Sequence, residues 1–130
     1  MEIGSFIELQ FPKGKEWYSG GNVLRLNTGR AAIYHSLVLT GCKTLWLPYY
    51  QCESVKKFLK AYNVNLKFYH ITFDFEPTAD LKPKDGEAVL LVNYFGVRSA
   101  LEMQEIASRY DNAIIIDNSQ AFFCQPIDFA

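Results

Sequence analysis

Ile114-Ile115-Ile116-Asp117-Asn118-Ser119-Gln120-Ala121 is the stretch on which the reading of this chain turns. Three consecutive β-branched residues suit a pleated strand better than a helix, and none of them offers a polar face to water. A strand that is apolar on both faces belongs in a sheet covered above and below, which is the habit of parallel sheets. The strand, read as Ala113 to Ile116, stops at a carboxylate. Asp117 therefore sits at the mouth of the sheet, partly withdrawn from water, where it seeks a cation or a protonated ring nitrogen. Asp-Asn-Ser is also a good turn former, so an ordinary turn accounts for the same residues.

Reading outward from this strand, the same alternation recurs. Thr28 to Gly41 repeats apolar residues at helical spacing, with Thr28 as N-cap and Gly41 as stop. Thr44 to Leu47 is a short apolar run closed by Pro48 and reads as a buried strand. Glu53 to Tyr62 sets Val55, Phe58, Leu59 and Tyr62 against Lys56, Lys57 and Lys60, which predicts an amphipathic helix. Leu66 to Ile71 reads as a strand, and Phe73 to Gly86, with two prolines and four acidic residues, as a surface connection. Ala88 to Val92 is a nearly all-apolar strand, and Leu101 to Tyr110 a helix before the isoleucine strand. Apolar strands separated by amphipathic helices predict an α/β fold, three layers α/β/α around a mainly parallel sheet. Residues 1–25, broken at Pro12, Gly14 and Gly20-Gly21, read as an extended arm and loop; residues 26–130 read as the α/β domain.

Composition narrows the function classes. The formal net charge is -1 and the thirteen basic residues are scattered, so the electrostatic footprint of a nucleic-acid binder is missing. No apolar run reaches the twenty or so residues of a membrane span, and the acidic N-terminus does not resemble a signal peptide. Cys42, Cys52 and Cys124 are odd in number and lack CxxC spacing, which argues against a disulfide framework or structural zinc and for a reducing, cytoplasmic setting. His35 and His70 lack partners at metal-ligand spacing and read as structural. Neither GxGxxG nor GxxxxGK[ST] occurs.

Ligands of parallel α/β sheets collect beyond the carboxyl ends of the strands, so the loops there hold the candidates. Asn27-Thr28-Gly29-Arg30 opens a helix; its free amides, positive dipole end and arginine suit a phosphate, while an ordinary threonine cap with a solvent-facing arginine accounts for the same residues. Pro48-Tyr49-Tyr50-Gln51-Cys52 and Val92-Asn93-Tyr94-Phe95-Gly96 crown two further strands. Tyr49, Tyr50, Cys52, Asn93 and Tyr94 are candidate pocket walls, with simple packing as the alternative. Cys52, close to a helix start, is a candidate for a lowered thiol pKa but has no histidine paired to it in sequence.

Taken in order, these four loops resemble the DegT/StrS family of pyridoxal-phosphate (PLP)-dependent sugar aminotransferases, which have the aspartate-aminotransferase-like fold of type I. Thr28-Gly29-Arg30-Ala31-Ala32-Ile33 resembles the family's phosphate-binding turn. Leu47-Pro48-Tyr49-Tyr50 resembles its valine-proline loop, and Asn93-Tyr94-Phe95-Gly96 its His-x-Tyr-Gly segment. Ile116-Asp117-Asn118-Ser119-Gln120-Ala121 resembles its Glu-Asp-x-Ala-Gln/His-Ala segment. The resemblance implies that Asp117 binds the protonated pyridine nitrogen, that Gln120 lies near the ring 3-hydroxyl, and that Thr28, Gly29 and Arg30 hold the phosphate. It further implies a homodimer acting on a sugar nucleotide and an amino-acid donor.

The departures from the family pattern shape the expectation. Arg30 stands where the family has a hydroxyl residue, and Cys52 where it has an aromatic that stacks on the ring. The family's Schiff-base lysine lies beyond the aspartate on a later strand, and no lysine of this chain fills that place. The expectation is an incomplete cofactor-binding domain, inactive by itself, with a non-catalytic binding or assembly module as the rival. A receiver-like domain is a second rival, which would need its acidic cluster after the first strand rather than the last.

Overall fold

The computed structural model describes Gly14 and residues 16–124, so most of the expected N-terminal arm lies outside the described residues. The elements follow as α1 (Gly29–Thr40), β1 (Thr44–Pro48), α2 (Glu53–Ala61), β2 (Asn65–Tyr69), β3 (Glu87–Val92), a short 3-10 turn (Tyr94–Gly96), α3 (Ala100–Ala107) and β4 (Ala113–Asp117). The strands form one sheet of four in the order β2-β1-β3-β4, and every pairing is parallel. The order reverses between β1 and β3, which makes their carboxyl ends a topological switch point.

Alternation along the strands divides the core into two layers. Leu45 and Leu47 of β1, Ala88 and Leu90 of β3 and Ile115 of β4 face α1 and α2, where Ile33, Leu37 and Leu59 meet them. Trp46, Val89, Leu91, Ile114 and Ile116 face the other way, towards Met103 and Ile106 of α3. Each fully buried leucine here contributes about 2 kcal/mol through removal of its side chain from water. The result is the three-layer α/β/α arrangement with a parallel sheet. No helix among the described residues is long and apolar enough to cross a membrane.

Local chemistry fixes the element ends. Thr28, with extended backbone, caps α1 by accepting the Ala31 amide on its hydroxyl at 3.3 Å, and Gly41 closes the helix at φ 73°, a left-handed conformation that favours glycine. A capping box opens α3: Ser99 accepts from the Glu102 amide while the Glu102 carboxylate accepts from that of Ser99. The helix ends at Ala107 instead of running to Tyr110, because Arg109 and Tyr110 bond back to Ile106 and Ala107 in tight i→i−3 turns. β2 is also shorter than the apolar run suggests. The His70 amide bonds to the Asp80 carboxylate, and Ile71 pairs with Pro77 in an isolated antiparallel bridge, so the chain leaves the ladder after Tyr69.

Candidate functional site

A cavity of ≈ 220 Å³ lies at the carboxyl ends of β1, β3 and β4. Its apolar lining comes from Ile33 of α1, Val55 of α2 and Val92 of β3. Its polar groups come from Gly29 and Arg30 at the start of α1, Gln51 and Cys52 before α2, and Asp117, Ser119 and Gln120 after β4. Residues separated by most of the described chain therefore share one hollow on the α1–α2 side of the sheet.

Each polar group is held in place by its element. At the start of α1 the amides of Ala31 and Ala32 are taken by the Thr28 hydroxyl and carbonyl, while those of Gly29 and Arg30 have no acceptor among the described residues. The Arg30 guanidinium lies 5.6 Å from the centre of the Phe58 ring and makes no ion pair among the described residues. Gly29 is close to the strand end opposite: a Cβ there would meet the Ser119 hydroxyl at 3.6 Å, an ordinary contact.

Asp117 is the last residue of β4 and shares the parity of Ile115, which turns its carboxylate to the α1–α2 side. Its Oδ1 accepts from the Ser119 amide at 2.9 Å and from the Ser119 hydroxyl at 2.5 Å. Its Oδ2 has neither a donor nor a cation among the described residues. The turn and the site are thus one structure, with Ser119 aiming the carboxylate.

The loop after β1 supplies the third wall. The Gln51 amide oxygen accepts the Cys52 N–H at 2.8 Å, and its Nε2 is buried without an acceptor. The exposed Cys52 thiol lies 3.0 Å from the Ser54 hydroxyl. That hydrogen bond, with help from the Ser54 and Val55 amides, lowers the thiol below the usual cysteine range. The carboxylate nearest in sequence, Glu53, is 3.7 Å from Lys56, so this loop has no acidic cluster of the receiver kind.

Not every expected wall residue borders the cavity. Tyr49 stacks on Phe68 and against His70, and Tyr50 stacks on Tyr94, so both rings are engaged away from it. Tyr94 is buried, and its hydroxyl donates to the Tyr50 carbonyl at 2.6 Å; burial pushes that hydroxyl above the usual phenol range. Asn93 is buried on the α3 side, where its side chain bonds the backbone of Arg98 in both directions. Thr28 organises the start of α1 without lining the cavity. Gln120 borders it while its Oε1 accepts the Phe95 amide at 2.8 Å.

Phe95 adopts a left-handed φ of 55°, and Gly96 follows at 63° with Gln120 O only 3.1 Å from where a Cβ would be, so glycine is required there. This pinned turn fixes the Gln120 side of the cavity. Gln51 and Ser119 are the polar wall residues not singled out from sequence. Ser119 had a signal, the Asx-turn spacing from Asp117, whereas the role of Gln51 depends on tertiary contacts alone. No group of three His, Cys, Asp or Glu that could hold a metal ion occurs among the described residues. No family model matches the chain, and no curated protein matches it.

Proposed function

We propose that this domain is the cofactor-binding portion of a PLP enzyme of the sugar-aminotransferase kind, resembling the DegT/StrS family, and contributes to transamination of a keto-sugar nucleotide. The observation that carries the reading is the convergence of two unpaired amides at a helix N-terminus with an unpaired carboxylate oxygen across one cavity. A molecule with an anion at one end and a protonated ring nitrogen at the other satisfies both.

The cavity's groups fit such a molecule. The Gly29 and Arg30 amides and the Arg30 guanidinium would hold the phosphate. Asp117 Oδ2 would accept from the pyridine nitrogen and keep its proton in place. Ile33, Val55 and Val92 offer an apolar surface that excludes water and strengthens both interactions. Cys52, which lines the cavity, stands in the sequence where the family has an aromatic, and would lie beside the ring. When bound, the protonated ring supplies an electron sink for charge developing on the substrate.

No lysine among the described residues lines the cavity. Without an amine there, these residues neither anchor the cofactor's aldehyde nor move a substrate proton, so this chain by itself binds PLP weakly and catalyses no amino transfer. The same observation favours a second reading, a non-catalytic module that binds the phosphorylated molecule. A homodimer formed in cytoplasm belongs to the first reading, and light scattering of the isolated chain checks it.

The test is a PLP titration of the chain and of Asp117→Asn, followed by borohydride reduction and mass mapping. Weak saturable binding that Asp117→Asn reduces, with no single lysine labelled, is the expected result. Binding indifferent to Asp117 overturns the cofactor reading, and specific reduction onto one lysine overturns the claim that the chain offers no amine.

A further inference from the structure

A ligand in this cavity meets a donor that the resemblance does not mention. Gln51 Oε1 is committed to the Cys52 backbone N–H at 2.8 Å, which also settles the side-chain amide's orientation, since an –NH2 group cannot accept that hydrogen. The Gln51 backbone N–H is engaged by the Tyr49 carbonyl at 2.9 Å, so the residue is fixed at both ends. What remains is Nε2, two hydrogens strong, buried and without an acceptor, on a residue that lines the cavity. Buried amide donors in folded proteins are paired as a rule, and a lone one on a cavity wall points to a partner arriving from the cavity.

We propose that Gln51 is a ligand-binding residue whose Nε2 donates to an oxyanion of the molecule held between α1 and Asp117. The inference rests on the cavity being a ligand site, as in the reading above, but not on the ligand being PLP. The chemistry required is a negatively charged or strongly polarised oxygen: Nε2 can only donate, the Gly29 and Arg30 amides and the Arg30 guanidinium in the same cavity also favour an anion, and the Asp117 carboxylate is left for the ligand's protonated end. A phosphate and a ring phenolate both provide that oxygen. Gln51 thus couples the entry of α2 to ligand binding, since one end of its amide orders Cys52 and the other meets the ligand.

The experiment uses the whole chain and three probes, inorganic phosphate, pyridoxal and PLP, with binding read by ligand NMR line broadening rather than by activity. Gln51→Glu keeps an oxygen for the Cys52 N–H while replacing the donor by a negative acceptor. Gln51→Met keeps the length and removes both polar atoms. Binding of PLP should weaken at least about tenfold in Gln51→Glu, the loss typical of a hydrogen bond to a charged group. Weakening with phosphate assigns the phosphate oxygen, and weakening with pyridoxal assigns the ring oxygen. If Gln51→Glu does not fold, the same comparison is made in Gln51→Met, with the far-ultraviolet spectrum as the check of fold. Wild-type affinity for all three probes in a folded variant overturns the proposal. Asp117→Asn separates this failure from that of the cofactor reading: phosphate binding sensitive to Gln51, with PLP held no better than phosphate and indifferent to Asp117, leaves Gln51 standing and removes PLP.

Discussion

The two sides of the sheet treat their polar groups differently at the carboxyl ends of the strands. On the α3 side they bond to one another. Arg98 reaches the Asp74 carbonyl at 2.7 Å and Glu76 at 3.1 Å, Arg109 reaches the other Glu76 oxygen at 2.7 Å, and Asn93 ties down the Arg98 backbone. Arg98 Nε stays unbonded among them, as does the buried Asn118 Oδ1 in the turn after β4. On the α1–α2 side, Gly29, Arg30, Gln51 and Asp117 share a hollow and do not pair with each other. Folding stability explains the first arrangement, because unpaired polar groups in a partly buried place are unfavourable. It does not explain the second, and that contrast is the physical ground for placing a ligand between α1 and Asp117.

The contrast breaks most visibly at Asn93. Asn93→Ala leaves the Arg98 N–H and carbonyl without partners inside the fold and should lower stability by about 2–4 kcal/mol in urea unfolding. Asp117→Asn, on the other side, retains an Oδ1 for the Ser119 amide and hydroxyl, so its stability should change by less than about 1 kcal/mol. Its PLP affinity relative to inorganic phosphate should fall by roughly tenfold or more, since a neutral amide no longer favours the protonated ring nitrogen. Equal stability losses in the two variants would erase the distinction between the sides.

Acid titration sharpens the same distinction. Glu87 lies on the α3 side with Lys67 and Trp46. Hydrogen bonds from Lys67 and from the Trp46 indole lower its pKa from 4.5 to about 2. A depressed folded pKa stabilises the protein fully above the unfolded value and loses that contribution as pH falls through the folded one. The loss should therefore spread from pH 4.5 down to about 2. Glu76, held down chiefly by the Arg109 hydrogen bond, adds in the same direction. Urea midpoints measured across this range should fall less steeply in Glu87→Gln than in the wild type. A Glu87→Gln curve parallel to that of the wild type would show that this pair does not contribute.

These regions also differ in how far they could be read from the sequence. The strands declare themselves because Leu90, Leu91 and the three isoleucines are apolar on both faces, and the start of α1 because Thr28 and Gly41 bracket it. Asp117 and Gly29 could be placed at strand and helix ends by the same local rules, and the fold then brings them together. The aromatics could not be assigned: a tyrosine at a strand end lines a cavity or fills the core according to what packs on it, and Phe75 and Tyr50 settle that for Tyr94. Gln51 has no local signature, since the burial of its nitrogen depends on packing with residues distant in sequence. The left-handed turn at Phe95 was hidden for a similar reason, being held by Gln120 twenty-five residues later.

The smallest expected effect separates stability from binding at a single atom. Gly29 has no positive φ, and its hypothetical Cβ would touch only Ser119 Oγ at 3.6 Å, so neither backbone conformation nor packing within the protein requires a glycine. Gly29→Ala should therefore be neutral or stabilise the fold by about 0.5 kcal/mol, by restricting the unfolded chain and suiting the first helical turn. The added methyl nevertheless enters the narrow space between the α1 amides and the Asp117 turn, where an anion must approach the backbone closely. Phosphate and PLP affinity should fall while the melting temperature holds or rises. Opposite signs of the two effects would show that the glycine is kept for the ligand. An unchanged affinity would instead make Gly29 an incidental helix residue and move the anion away from the start of α1.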